Sequence, residues 1–260
     1  MTHVMVNRDD RDVAWLTLDR PDVRNAFNAE LIAELSAAAT ALADDPPRAV
    51  VLAGNGPSFS AGADLNWMRS AKDRTHDDNL ADARVTSAMF SALDTLPCAV
   101  IGRVHGHALG GGVGLVAVCD VVVADIKTVF GFSEVQFGIA PAIISPFVVR
   151  KIGRSHARAL FVSGERFDAE WAEHIGLVHM AVDSEDLDGM VDAVVGKVLS
   201  AGPAAIAVAK RLPEVALAPI DEAREATAAI IAELRTGPEA QEGMAAFLEK
   251  RPPRWASDPR

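Results

Sequence analysis

The stretch His105–Glu134, HGHALGGGVGLVAVCDVVVADIKTVFGFSE, decides the fold of this chain. Three glycines, Gly110–Gly112, precede a small apolar segment that predicts a helix, and the run Val121–Val123 predicts a buried strand. The stretch ends at a carboxylate among phenylalanines, an environment that favours acid/base chemistry by desolvation. Glycine lets backbone N–H groups approach a ligand closely. The sequence therefore predicts an anion-stabilising site, in which Gly111 holds an oxyanion and Glu134 moves protons.

Strands and helices alternate on the N-terminal side of this stretch. The segments Val4–Asn7 and Val13–Asp19 predict a hairpin. Asn28 is a candidate N-cap for a helix whose apolar face would be Leu31, Ile32, Leu35, Ala39 and Leu42. Further predictions are the strands Ala49–Ala53 and Cys98–Val104 and the helix Thr75–Leu96, with Leu80, Val85, Met89 and Leu93 on its apolar face. This order is typical of α/β layers, with helices packed on sheets.

Helical patterns dominate the C-terminal side. Two short helices are predicted at Ser145–Ile152 and Ser155–Ser163, and four more follow at Leu187–Leu199, Ala204–Ala216, Asp221–Leu234 and Pro238–Lys250. We therefore predict an α/β core over residues 1–195 and a helical region over residues 196–260, which could cover its own body or an identical neighbour.

The composition excludes several classes of function. The net charge of −11 argues against a nucleic-acid surface, which needs clustered cations. No apolar run reaches the ~20 residues of a membrane span, and acids stand where a signal peptide would be apolar. Cys98 and Cys119 lie in apolar runs and are expected to be buried thiols. We expect a cytoplasmic protein without nucleic-acid or membrane partners.

A second loop, Ser58–Leu65, could complete the site. Small residues flank Gly62 after a predicted strand, and Asp64 could begin a helix whose free N–H groups face a carbonyl. Taken alone, this is an ordinary strand-to-helix connection. Paired with the triple glycine, it could supply the second N–H group of an oxyanion hole.

Other motifs give weaker signals. Gly112–Ala117 fits the dinucleotide pattern G-x-G-x-x-A, but the five residues His105–Leu109 separate the preceding strand from Gly110, which is longer than the tight turn of such a site, and the pattern lies at mid-chain. His105 and His107 are expected to be loop or packing histidines. The sequence shows no metal-ligand spacing, nucleophile elbow or P-loop.

In order along the chain, the motifs resemble the enoyl-CoA hydratase/isomerase (crotonase) family. The resemblance covers nearly the whole chain. It rests on the segments 20–26 (RPDVRNA), 59–65 (FSAGADL), 108–112 (ALGGG), 119–120 (CD), 132–134 (FSE), 176–178 (GLV) and 242–251 (EGMAAFLEKR).

The resemblance implies a fold, a ligand and an assembly. The fold would be a spiral of ββα units, followed by C-terminal helices that assemble trimers, often paired as hexamers. An acyl-CoA thioester would place its carbonyl between the N–H groups of Ala63 and Gly111. Residues implied in CoA binding are Arg24, Ala61, Asp64 and Leu65, with Phe247 and Lys250 from a neighbouring subunit. No separate cofactor is implied, since coenzyme A is part of the substrate.

One departure from the family pattern concerns the catalytic acids. Well-studied hydratases of the family carry two glutamates, and the first position is Gly114 in this chain, whereas the second matches Glu134. Gly114, the Phe-Ser-Glu motif, Ile-Ser-Pro at 144–146 and the segment 64–68 (DLNWM) resemble the branch acting on methylglutaconyl-CoA in leucine breakdown.

Three hypotheses remain open. The first is hydration of a short or branched enoyl-CoA with Glu134 as the principal acid/base. The second is a Δ3,Δ2-enoyl-CoA isomerase, because a single carboxylate can move a proton between two carbons. The third is an acyl-CoA-binding homologue with weak catalysis.

Overall fold

The computed structural model describes residues 2–70 and 74–257. Its strands are β1 (Val4–Arg8), β2 (Val13–Leu18), β3 (Ala49–Gly54), β4 (Ala99–Val104), β5 (His107–Leu109), β6 (Val121–Asp125), β7 (Val129–Gly131), β8 (Arg166–Phe167) and β9 (Met180–Val182). Its helices are α1 (Ala29–Asp44), α2 (Leu65–Ser70), α3 (His76–Asp94), α4 (Gly111–Ala117), α5 (Ser145–Ser163), α6 (Ala169–His174), α7 (Leu187–Leu199), α8 (Pro203–Ala209), α9 (Leu212–Ala216), α10 (Ile220–Thr236), α11 (Pro238–Leu248) and α12 (Arg254–Ser257). The predicted α/β architecture with a helical C-terminal region is confirmed.

Two sheets form the framework. The larger has the order β1-β2-β3-β4-β6-β9, in which β1 and β2 form the predicted antiparallel hairpin and the remaining pairs are parallel. A smaller sheet, β5-β7-β8, was not predicted, because its strands have only two or three residues and give no periodic signal. Chain segments pass from the large sheet to the small one and back, as expected for a spiral.

Helices cover both faces of the large sheet. In β3, Ala49 and Val51 face a cluster with α7, whereas Val50 and Leu52 face the main core with α1 and α3. Alternate residues of a strand point to opposite faces, so a strand buried on both sides is apolar throughout. This explains why β3 is buried at every position.

Local sequence features explain where several helices begin or are interrupted. The Asn28 side chain accepts a hydrogen bond from the Leu31 N–H, and the whole predicted apolar face of α1 is buried. Thr75 and Asp78 form a reciprocal capping box at the start of α3. The two helices predicted between residues 145 and 163 are the two parts of α5, which is interrupted by the non-helical Gly153.

Two helical predictions were wrong in detail. Leu80 and Val85 of α3 are exposed, and the buried face is Thr86, Met89, Phe90 and Leu93, because only the C-terminal half of α3 packs on the core. The single helix predicted over 204–216 is divided into α8 and α9, with Pro213 in the first turn of α9. Proline fits a first turn and interrupts a helix interior.

The helix α7 belongs to the α/β core. Val191, Val194 and Val195 are buried against the large sheet, and the helix continues to Leu199, past the predicted boundary at residue 195. The division of the chain into two domains stays a prediction. Within the part of the chain that the structure describes, no single helix is long and apolar enough to cross a membrane. The helix α7 and the segment 203–216 together have the length and composition of a span, but they are bent by 104° relative to each other.

Candidate active site

The two predicted glycine-containing loops lie side by side. Ser60 forms a parallel bridge with Ala108, so the loop after β3 runs along β5. Gly62 has φ +88°, and a Cβ there would stand 2.9 Å from the Leu109 carbonyl oxygen. Only glycine allows both this dihedral and this approach. The structure therefore brings residues 60–63 against the start of α4, as the sequence predicted.

Two backbone N–H groups at this contact are free. Ala63 is bridged to Phe27, but the bridge uses the Phe27 N–H, the Gly62 carbonyl and the Asp64 N–H, and leaves the N–H of Ala63 unused. Gly111 is the first residue of α4, where an N–H has no partner within the helix. Among the described residues, neither N–H donates a hydrogen bond. The pair can stabilise negative charge on a bound oxygen.

Glu134 lies directly beside this pair. It follows β7 in a 3-10 turn, Ser133–Phe137, and a Cβ on Gly110 would stand 3.0 Å from its Oε1 atom. Gly110 has φ +49°, which brings the backbone close to the carboxylate. The Oε2 atom is buried and has no hydrogen-bond partner in the described chain. Burial raises the pKa of Glu134, as expected for a carboxylate used as an acid and a base.

Gly114, at the position where the resemblance implies a first glutamate, is enclosed by apolar side chains. A Cβ on Gly114 would stand 2.4 Å from Cγ2 of Ile144 and 2.9 Å from the Phe90 ring. Both side chains are buried, and Phe90 packs between the rings of Phe27 and Phe147. No carboxylate fits at residue 114 beside these neighbours.

Buried polar residues that the sequence analysis did not single out hold the first loop. Asn25 is fully buried, and its Nδ2 donates to the carbonyls of Asn55 and Ser58. Its Oδ1 accepts from the Arg20 N–H. Arg20 also pairs with Asp64 at 3.1 Å, and both side chains are largely buried. The signal in the sequence was Arg-Pro at 20–21 followed by Asn25, a segment without periodicity.

The residues implied in CoA binding fall into two groups. Arg24 is exposed, and its carbonyl accepts the N–H of Ala61, which places both at the rim of the site. The carboxylate of Asp64 is engaged with Arg20, and the side chain of Leu65 lies outside the described part of the structure.

Phe247 and Lys250, at the end of α11, are exposed, with 82% of Phe247 accessible. No described contact joins these two residues to the free N–H pair within the chain. Their contact with CoA stays a prediction.

The histidines near the site have structural partners. A ring nitrogen of His105 lies 2.8 Å from the Gly56 carbonyl, and one of His107 lies 3.2 Å from Ser58 Oγ. Burial lowers the pKa of His107. Residues 2–70 and 74–257 contain no group of three or more metal-ligating side chains that could hold an ion. Cys98 and Cys119 are buried free thiols, as predicted.

Many known proteins are similar to this chain in sequence or in fold. A family described as enoyl-CoA hydratase/isomerase matches residues 8–258. The 2,3-dehydroadipyl-CoA hydratase of Escherichia coli (strain K12) is 35% identical over 263 residues, covering 97% of this chain and 98% of its own. The crotonyl-CoA hydratase of Syntrophomonas wolfei is 31% identical, with 96% of each chain covered. The crystal structure of an enoyl-CoA hydratase from Mycobacterium smegmatis superposes with a TM-score of 0.92 at 35% identity, covering 98% of this chain and 99% of that one.

Proposed function

Because this chain belongs to the enoyl-CoA hydratase/isomerase family, we propose that it is an enoyl-CoA hydratase, a carbon–oxygen lyase, acting on short or branched enoyl-CoA thioesters. One observation carries the proposal. The unpaired N–H groups of Ala63 and Gly111 lie next to a buried carboxylate, Glu134, whose Oε2 has no partner among the described residues. Oxyanion donors and a proton-transfer group are the two components that thioester enolate chemistry requires.

The proposed reaction uses one carboxylate twice. Ionised Glu134 takes a proton from water while the oxygen of that water bonds to C3 of the enoyl group. The electron pair of the double bond moves to the thioester, whose oxygen is held by the N–H groups of Ala63 and Gly111. Protonated Glu134 then returns a proton to C2, which yields the 3-hydroxyacyl thioester and restores the carboxylate.

The apolar filling around Gly114 supports a second candidate reaction. Without a second carboxylate to hold water, Glu134 could move a proton between C2 and C4 of a 3-enoyl-CoA, as an isomerase does. The hydratase names of the relatives favour hydration. The isomerase is therefore the alternative outcome of the test below.

The acyl chain and the assembly are further parts of the proposal. We expect a branched substrate such as methylglutaconyl-CoA, which would place the enzyme in leucine degradation. We expect a homotrimer or homohexamer in the cytoplasm, with Phe247 and Lys250 contacting CoA bound to a neighbouring subunit. The exposed Leu217, Phe247 and Leu248 of the C-terminal helices support an assembly, because they would otherwise remain in water.

An acyl-CoA panel tests the proposed reaction. Crotonyl-CoA, methylglutaconyl-CoA and a 3-enoyl-CoA are incubated with the protein, and products are followed for both hydration and double-bond migration. We expect hydration of the first two and its loss in Glu134→Gln. Migration without hydration would establish the isomerase, and turnover unaffected by Glu134→Gln would contradict both. CoA binding without any turnover would indicate a non-catalytic homologue.

A further inference from the structure

A second cavity lies away from the candidate active site. It has a volume of about 740 Å³ and is bordered by the C-terminal end of α4 and by α5, α8 and α9. The active-site donor Gly111 is at the other end of α4, roughly 10 Å away for a seven-residue helix. Charged side chains line the cavity: Asp94, Asp120, Arg150, Lys151, Lys210, Arg211 and Glu214.

The two lysines of this cavity have different partners. Lys210 pairs with Asp120 at 2.9 Å and donates to the Cys98 carbonyl at 3.2 Å. Lys151 donates to the Cys119 carbonyl, and no described carboxylate lies within ion-pair distance of its Nζ. An ion pair keeps an ammonium protonated, whereas a neutral carbonyl does so much less. Lys151 is thus the amine of the cavity that can release its proton.

The surrounding carboxylates compensate the charge of Lys151 only in part. The two carboxylates that face it are already engaged, Asp94 with Arg150 at 2.6 Å and Asp120 with Lys210. Burial is the largest influence and lowers the pKa of Lys151, and the positive charge of Lys210 acts in the same direction, whereas Asp120 and Asp94 raise it without reversing the shift. The other titratable neighbours are the Cys119 thiol, whose pKa burial raises to about 12, and His179, whose pKa burial lowers to about 4. Neither carries a compensating negative charge near neutral pH.

We infer that Lys151 is a site of Nε-acylation by acyl-CoA thioesters, distinct from the candidate active site. The neutral amine attacks the thioester carbonyl, a C–N bond forms, and the C–S bond breaks. The CoA thiolate leaves and takes up the proton that the nitrogen loses, so the products are an amide and CoA. Acylation removes a buried charge. The inference rests on the proposed function only for the presence of the thioester in the protein's surroundings.

Acetyl-CoA is the probe, because it has no double bond to hydrate. The intact protein is incubated with it at several pH values, and acetylation of each lysine is measured by peptide mass spectrometry after cleavage at residues other than lysine. We expect Lys151 to react several-fold faster near neutral pH than the exposed Lys127 and Lys197, because burial lowers the pKa of Lys151 and so raises the fraction of its amine that is unprotonated. Its rate should also level off at lower pH than theirs.

Two controls test the structural origin of the preference. The faster acetylation of Lys151 should vanish in urea-unfolded protein, where all lysines are equally exposed. In Asp120→Asn, Lys210 loses its ion pair and should gain acetylation. Equal rates for Lys151, Lys127 and Lys197 in the folded protein would overturn the inference. That result would not affect the proposed hydratase activity. Conversely, acetylation of Lys151 in a protein that converts none of the acyl-CoA substrates would overturn the proposed function alone.

Discussion

The two ends of α4 differ in whether nearby polar groups have hydrogen-bond partners. At the N-terminal end, the N–H of Gly111 and the Oε2 of Glu134 have no partners in the described chain. In the middle of the helix, Gly114 is enclosed by apolar side chains, and just beyond its C-terminal end the Cys119 carbonyl accepts a hydrogen bond from Lys151. A buried polar atom without a partner costs stability, and Glu134 Oε2 is such an atom. The N-terminal end of α4 is therefore the end arranged to bind a ligand.

The comparison also explains the missing carboxylate. A glutamate at residue 114 would need the space that Ile144 and Phe90 occupy, and these side chains belong to the main core. The packed part of α4 therefore includes residue 114, the position at which the family resemblance implies a first glutamate. This packing leaves Glu134 as the carboxylate for which we propose the proton transfers.

The largest expected effect is on activity, from Gly110→Ala. The residue has φ +49° and its added Cβ would press on Glu134 Oε1, so both the carboxylate and the adjacent Gly111 N–H should move. We expect kcat to fall about 10²-fold or more, comparable with the loss of one oxyanion donor. Hydration kinetics and circular dichroism measure the outcome.

The matched control for this variant is Gly153→Ala. Gly153 has φ +74° with nothing within 4 Å of an added Cβ, so alanine there would be strained in the backbone without touching Glu134. It should lose stability while kcat stays close to that of the parent protein. Equal losses of kcat in both variants would show that strain alone, rather than the site, controls activity.

The second effect is on stability, from Gly114→Ala. The added Cβ would overlap Ile144 Cγ2, and overpacking of this kind costs about 1–3 kcal/mol. Urea unfolding should show this loss, and the double variant Gly114→Ala/Ile144→Ala should lose less stability than the sum of its two single variants.

The control is Gly196→Ala, in α7, where an added Cβ would have no atom within 4 Å. This variant should instead gain about 0.5–1 kcal/mol of stability. A stable Gly114→Ala protein would refute the close packing.

The contrast within α4 separates what a sequence can predict from what it cannot. The apolar face of α1 and its Asn28 cap are local patterns, and the structure has them as predicted. The two glycine loops were predicted from their composition as a pair, because the first loop taken alone could be an ordinary connection between a strand and a helix. The contact of Ile144 with Gly114 spans 30 residues, and the pairing of Arg20 with Asp64 spans 44. Such contacts follow from tertiary packing, which periodicity does not encode.

The third effect is a gain of stability in Glu134→Gln. Burial raises the pKa of Glu134 in the folded protein, so the folded state holds this proton more tightly than the unfolded chain. Stability therefore falls as pH rises from the unfolded pKa through the folded one, and the cost persists above it. Glutamine does not titrate, so the variant should be more stable than the parent at neutral pH and lose that advantage in acid. Glu165→Gln, at an exposed residue, is the control.

The last effect is confined to acidic pH and concerns His179, which lies near Lys151. Its Nδ1 accepts the Val122 N–H at 3.0 Å, and burial, together with the charge of Lys151, lowers its pKa to about 4. Below the ordinary pKa of 6.5 the unfolded chain binds a proton that the folded state refuses, so stability is lost as pH falls from 6.5 through 4.

The variant His179→Asn can keep an acceptor for this N–H and removes the titration. Its urea midpoint should therefore decline less than that of the parent between pH 6.5 and 4, while His76→Asn, at an exposed histidine, should follow the parent. Because Glu134 is present in all three proteins and acts with the opposite sign, it cancels in the difference. If the urea midpoints of His179→Asn and of the parent declined equally with falling pH, the folded protein would accept a proton on His179 without loss of stability. That result would contradict the lowered pKa of His179.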